Sequence, residues 1–445
     1  MASARRTWSI PYRPTPAFTP TTPRPFLPIQ PYPVILHSPP LPTPPRKAIH
    51  AAYALTTHLI PAAFPRSVPD IPLPEIPSHS TPTPDRQTQV ASLARELIEQ
   101  RACFAQGKLY GDHSQKPLWN CVNRYVRTDN LGSGLTLFLA HANGFPKEIW
   151  ETMLRSLFDS PAAPLVDEVW SWEAVHHGDA ALVNAGNLSG IVDWQDNARD
   201  IVNFLLNYLP DDTAVSSLPT HLERVPESTS EVRTERGYSR RTLVVVGHSF
   251  GGTSSILAAL NYPKLFSSLI LVDPIISMND LFVEENYDHI YKLAFGALVR
   301  RSTWPSREVA LRLFKQSPFF APWHPEVLRL YVDYGLTTDI GSSVKLKTTP
   351  LQESLTFADA HVSKDVGELL DKLDGSIILR WIIPAPSSHT EERTEINVWR
   401  RPSNASNIVF PFAGHLVVQE APVELAHDVA KFLLDKYGSQ AKAAL

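Results

Sequence analysis

A chain of 445 residues, with 43% hydrophobic and 19% charged residues and a formal net charge of −4, has room for one large α/β domain with insertions or for two ordinary domains. That charge balance argues against a nucleic-acid partner, and no apolar run approaches the roughly 18 residues of a membrane span. Cys103 and Cys121 have neither metal-site spacing nor disulfide density, and the opening MASARRTWSIPYRP lacks the apolar centre of a secretory signal, so a cytoplasmic protein is expected.

About half of the 41 prolines fall in the first ninety or so residues, and no acidic residue precedes Asp70. Proline fixes φ and removes a donor, so residues 1–47 are expected to be a disordered Pro-rich segment. Within it LPTPPRK, Leu41 to Lys47, fits a loose PxxP pattern that any segment this rich in proline satisfies by chance. Its arginines and missing acids also suit a transit peptide, but the prolines forbid the amphipathic helix a transit peptide needs.

From about residue 88, strand-like and helix-like blocks alternate, which predicts an α/β domain with a mostly parallel sheet and flanking helices. LTLFLA, Leu135 to Ala140, is a short apolar strand. KEIWETMLRSLF follows with Trp150, Met153, Leu154 and Leu157 at helical spacing, and LVDEVWSW is the next strand. Trp194, Ala198, Ile201, Val202, Leu205, Leu206 and Leu209 make one apolar helical face, with Asp196, Arg199 and Asp200 opposite. Asp211 to Arg241 is polar and aperiodic and reads as a surface insertion.

TLVVV then runs through Gly247-His248-Ser249-Phe250-Gly251 into the helical ILAAL, and SSLILVDP is a strand ending at Asp273. Residues 275–373 hold helical patterns such as SREVALRLF and PEVLRLYVDYGL with little strand character, and read as a helical cap inserted between core residues 48–274 and 374–445. GSIILRWII and NIVFPF supply two last strands, and APVELAHDVAKFLLDKYG a closing helix, begun by Pro422 and ended by Gly438.

A strand that turns directly into a helix lifts its apex side chain clear of both elements, provided its neighbours are small. Gly247 and Gly251 meet that demand around Ser249, whose hydroxyl then lies at the positive end of a helix. A lone GxSxG arises by chance, but a strand before it and a helix after it are the surroundings that give it meaning. A serine needs a base, and the base an acid that fixes its tautomer. His415, in FPFAGHLVVQE between the last strand and last helix, reaches the same sheet edge as Ser249; His427, among Glu424, Asp428 and Lys431, reads as a solvated helix residue, and His248 as packing. Asp273, at a strand end, is the preferred acid. Glu391, in a loop that offers Ser387 and Ser388 where an Asp is usual, is the alternative. The oxyanion of acyl transfer needs two backbone donors, for which the amides of Phe250 and of Asn143, in LAHANGFPKEIW, are the candidates.

GHSFGG, HANG, LVDP and AGHLVVQE resemble the α/β-hydrolase superfamily. THLIPAAFPR, HANGFPKEIW, AVHHGDAAL, SRRTLVVVGHSFGG and AGHLVVQEAP are similar to a fungal group of peroxisomal lipase-like hydrolases and hydrolases of toxin biosynthesis, over about residues 50 to 440. The resemblance implies a cap-covered serine hydrolase of an ester or thioester, with no metal or organic cofactor. Ala142 stands where many members have Gly, and Ala443-Ala444-Leu445 departs from a peroxisomal tripeptide of the SKL kind. Trp304, Phe314, Phe319, Phe320 and Trp323 point to a hydrophobic substrate. The alternatives are a hydrolase-like small-ligand binding protein with an idle triad and a cofactor-free acyltransferase.

Overall fold

The computed structural model describes residues 7–15, 23–32, 38–77, 82–109, 111, 116–129, 132–213, 217–277, 284–339, 341, 343–359, 361–385 and 391–443. Their strands, in chain order, are β1 (Tyr53–Pro61), β2 (Trp119–Arg127), β3 (Leu135–Ala140), β4 (Val166–Glu173), β5 (Thr242–His248), β6 (Ser268–Val272), β7 (Thr303–Trp304), β8 (Leu336–Thr338), β9 (Val344–Leu346), β10 (Ile378–Pro384) and β11 (Ala405–Phe410). Eight share one sheet in the order β1-β2-β4-β3-β5-β6-β10-β11. β1, β2 and β4 pair antiparallel and every other neighbour is parallel.

The parallel centre follows from composition. β3, β5 and β6 are continuous apolar runs because helices cover both faces. Successive residues therefore feed opposite cores: Phe138, Ala140 and Val245 join one cluster, and Leu137, Leu139, Val244 and Val246 the other. β1 and β2 escape a reading of hydrophobic pattern. WNCVNRYVR sets Asn120, Asn123, Arg124 and Arg127 among its apolar residues without a clean alternation, and Asn123 and Arg124 are buried because Arg124 pairs with Glu168 and Asn123 donates to Glu148.

The helix Trp194–Asn207 packs its apolar face on the sheet as expected, but its polar face is buried too. Arg66 bridges Asp196 and Asp200, while Arg199 donates to the carbonyls of Leu27 and Pro28. That cover comes from the Pro-rich segment, so the expectation of disorder over 1–47 is corrected for its described parts. Trp8 bridges Val409 on the free edge of β11, Arg24 joins Asp193 to Asp365, and Arg46 pairs with Glu151 and lies 3.7 Å from the Tyr334 ring. Extended backbone needs no internal hydrogen bonds, and here it finds its partners on the domain.

Asp211 to Arg241 contains the helix Glu227–Arg236, whose Arg233 is buried and caps the preceding helix by donating to Leu205, Leu206 and Leu209. The last helix, Pro422–Ala443, runs through Gly438 rather than ending there. Between β6 and β10 lie helices and the small sheet β7-β9-β8, whose three short strands fit the little strand character expected there. Its final helix, His361–Leu369, packs through Val362 and Val366 beside the helix Phe250–Asn261 and so joins the core rather than a cap. No helix among the described residues is long and apolar enough to cross a membrane.

Candidate active site

β5 ends at His248 and a helix begins at Phe250, leaving Ser249 alone in the turn with φ 53° and ψ −121°. Non-glycine residues avoid this left-handed region, so the surroundings must hold it there. They do so through hydrogen bonds: Ser249 N–H donates to the Val272 carbonyl, and the Ser249 carbonyl accepts from Thr253 N–H. The flanking glycines are required by contact as well. A methyl on Gly247 would lie 2.6 Å from the Gly252 Cα, and one on Gly251 2.5 Å from the carbonyl oxygens of Ala140 and His141.

The structure brings His415 and Asp273 to this hydroxyl. His415 lies in the turn between β11 and the helix Val417–Glu420, with Nε2 2.9 Å from Ser249 Oγ and Nδ1 2.6 Å from Asp273 Oδ2. The carboxylate only accepts, so Nδ1 carries the proton and Nε2 is free to receive that of the serine. Burial alone would lower the His415 pKa, but the bond to Asp273 and its charge outweigh that and raise it above the ordinary histidine value. Asp273 follows β6 directly, has a positive φ of 40°, and is fixed by donation from its N–H to the Ile382 carbonyl.

His427 is exposed on the last helix. Glu391 opens the helix Glu391–Trp399, but its side chain, like the loop 386–390 with Ser387 and Ser388, lies outside the described residues. His248 does more than pack. Its Nε2 donates to the His415 carbonyl over 2.8 Å.

The two candidate oxyanion donors are held from behind. His141 Nε2 accepts from Ala174 N–H, so its Nδ1 donates to the Ala142 carbonyl. A trans peptide sends its N–H opposite its C=O, so this bond also aims the Asn143 N–H. The Asn143 side chain donates to the Glu353 carbonyl, and its Oδ1 accepts from His177 Nε2 at 3.0 Å. The His177 ring stacks on Phe250 at 5.8 Å, and Trp194 closes the other side of Phe250 at 5.0 Å. One imidazole thus touches both donor residues. Burial keeps it neutral by pushing its pKa well below the usual value.

Sequence reasoning assigned no role to His177, Glu353 or Arg300. A His-Gly pair just past the carboxyl end of a strand, as at His177-Gly178 after β4, was the available signal for the first. The other two carry none, because they reach the site from the segment between β6 and β10.

Cys121, Glu173 and Asp179 are buried with their ligand atoms within 4.8 Å of one another, the makings of a metal site. The Lys147 ammonium lies 2.8 Å from Asp179 and 3.3 Å from Glu173, so a side-chain cation already occupies that centre. Of the aromatic residues expected to meet substrate, Trp304 is buried against Phe314, Phe314 against Tyr331, and Trp323 against Phe145 and Tyr331, while Phe319 is 52% exposed.

The sheet order, the serine in a strand-to-helix turn and the histidine after the last strand define an α/β-hydrolase arrangement. The chain belongs to the alpha/beta hydrolase family, whose model matches residues 137–429. It is 26% identical over 241 residues to a type I acyl-CoA thioesterase of Penicillium brevicompactum, covering 50% of this chain and 49% of that protein. The chain thus spans about half the length of that relative. It is 31% identical over 114 residues to an abhydrolase domain-containing protein of Alternaria alternata, covering 25% of this chain and 40% of that one. It is also 22% identical over 327 residues to the peroxisomal membrane protein LPX1 of Saccharomyces cerevisiae, 69% of this chain and 78% of that one. The solved structure of the yeast protein, a peroxisomal α/β-hydrolase, matches with a TM-score of 0.57 at 20% identity, over 87% of this chain and 91% of that chain, a likeness of fold.

Proposed function

We propose that this protein is a serine hydrolase that cleaves an ester or thioester of a hydrophobic substrate through an acyl-enzyme intermediate. The observation that carries the reading is the unbroken relay Asp273–His415–Ser249, at 2.6 and 2.9 Å. Ser249 Oγ attacks the acyl carbon while His415 Nε2 takes its proton. The carbonyl oxygen becomes an anion that accepts from the amides of Phe250 and Asn143, and Asp273 stabilises the imidazolium. Collapse of the tetrahedral intermediate breaks the bond to the alcohol or thiol, which leaves with the proton from His415. Water repeats the sequence, His415 again acting as base, and releases the acid and free Ser249.

The Penicillium relative, named as an acyl-CoA thioesterase, supports including thioesters. A fluorophosphonate probe tests the reading: labelling is expected at Ser249 and is expected to vanish in Ser249→Ala. Folded protein that stays unlabelled would favour a ligand-binding role with an idle triad. Hydrolysis of p-nitrophenyl esters and acyl thioesters of graded length then defines the substrate, and product analysis with an added acyl acceptor distinguishes hydrolysis from transfer.

A further inference from the structure

The loop that carries Asn143 bears an unusual load. Glu353, in the first turn of the helix Pro350–Ala358, accepts from the Asn143 side chain through its main-chain carbonyl, and its carboxylate rests on Gly144. A methyl at Gly144 would come within 3.1 Å of the carboxylate carbon and 3.2 Å of each oxygen; at φ +89° that position suits glycine alone. A buried acid is therefore seated beside the backbone amide that the proposed reaction uses to receive negative charge. Left ionised and uncompensated, it would oppose that charge, since water is not there to screen it.

Compensation comes from Arg300, just past the helix Glu284–Val299, which forms an ion pair with Glu353. The Arg300 side chain is 28% exposed and that of Glu353 11%. Among the described residues the Tyr331 phenol is a further titratable group that acts on the pair, and neutral His177 reaches Glu353 through Asn143. We propose that Arg300 is the charge-compensating residue of the oxyanion loop: by pairing with Glu353 it cancels a negative charge held against Asn143 and Gly144, and so allows negative charge to develop on the substrate's acyl oxygen. Arg300 is a positioning residue, acting through Glu353 rather than on substrate. The inference rests on the reading that Ser249 and the Asn143 amide serve acyl transfer.

The test is a charge cycle on the full chain. Arg300→Met is expected to lower kcat by roughly 10- to 100-fold while KM changes less than about threefold, because only the charged transition state feels the unpaired acid. Adding Glu353→Gln to Arg300→Met is expected to return kcat to within about fivefold of wild type, a rescue that loss of packing cannot give. Burial raises the Glu353 pKa and Arg300 holds it down, so the acid in Arg300→Met protonates as pH falls. The ratio of variant to wild-type kcat should therefore climb toward low pH.

A double variant as impaired as Arg300→Met, with matching circular dichroism and Tm, would overturn the inference, as would a loss confined to KM or a ratio flat with pH. If Arg300→Met does not fold, Arg300→Lys and the double variant carry the test. Both leave the pair uncharged overall, and a fall in kcat beyond about twentyfold in either overturns the proposal. Ser249→Ala, assayed beside them, separates the failures: turnover that survives it removes the hydrolase reading and the inference together, whereas turnover it abolishes without rescue in the double variant removes the inference alone.

Discussion

The imidazole of His248 donates to the main-chain carbonyl of His415, tying the strand that ends at the candidate nucleophile to the turn that carries its base. A carbonyl only accepts, so Nε2 of His248 must keep its proton; burial, reinforced by the nearby His415, lowers the His248 pKa to about 3 and leaves the ring uncharged at neutral pH. Replacing His248 by Phe preserves a ring of similar size and deletes the bond. A net hydrogen bond is worth about 1 kcal/mol, so kcat is expected to fall about fivefold, with KM within about twofold of wild type. Steady-state kinetics on the nearest good ester substrate, with Tm measured in parallel, checks it.

Asp273→Asn tests the acid. The amide can offer an N–H to Nδ1 and so favour the tautomer that cannot accept from Ser249; a fall in kcat on the order of 1,000- to 10,000-fold is expected. Glu391→Gln is expected to change kcat less than about threefold, and a larger effect would shift the assignment to Glu391. The pH profile supplies a second readout. His415 has a raised pKa and must be neutral to act as base, so kcat/KM should climb through an apparent pKa above 6.5, and the residual activity of Asp273→Asn should climb at lower pH.

Stability should fall steeply in mild acid. His58 and His141 are 1% exposed, and burial lowers each to about 4, as it lowers the equally buried His248 to about 3. A depressed folded-state pKa means that the unfolded chain binds the proton first. The contribution is therefore intact above about pH 6.5 and is lost as pH falls through the folded value. At pH 5 each such ring costs up to about 2 kcal/mol. Urea denaturation at pH 7.5, 6 and 5 should show a declining midpoint, and a midpoint unchanged over that range would contradict neutral buried rings.

Arg24 reaches Asp193 over 2.6 Å and Asp365 over 3.0 and 2.9 Å, pinning the Pro-rich segment to the start of the helix Trp194–Asn207. Arg101 remains beside Asp193 when Arg24 is lost, while partly exposed Asp365 loses the bonds Arg24 gave it, so Arg24→Ala should cost about 2 to 3 kcal/mol. Chemical denaturation of Arg24→Ala and of a chain lacking residues 1–32 is expected to show both destabilised, the truncation more, since it also uncovers the edge of β11 at Val409.

The local pattern of the chain was enough for the strands β3 to β6, β10 and β11, for the turn at Ser249 and for picking out His415 as a candidate, which the fold then sets 2.9 Å from Ser249, because each depends on chemistry within a few residues: apolar runs, glycines at a hinge, a histidine after a last strand. It was blind to β1 and β2, to the cover that residues 23–32 give Arg199, and to Arg233 as a cap. There the polar groups are buried and satisfied by partners far along the chain, so composition reads them as solvated. Folding alone decides which distant charges meet. It is folding that sets His177 between Asn143 and Phe250, and Glu353 with Arg300 against Gly144, since electrostatic pairing acts through space and leaves no period in a sequence.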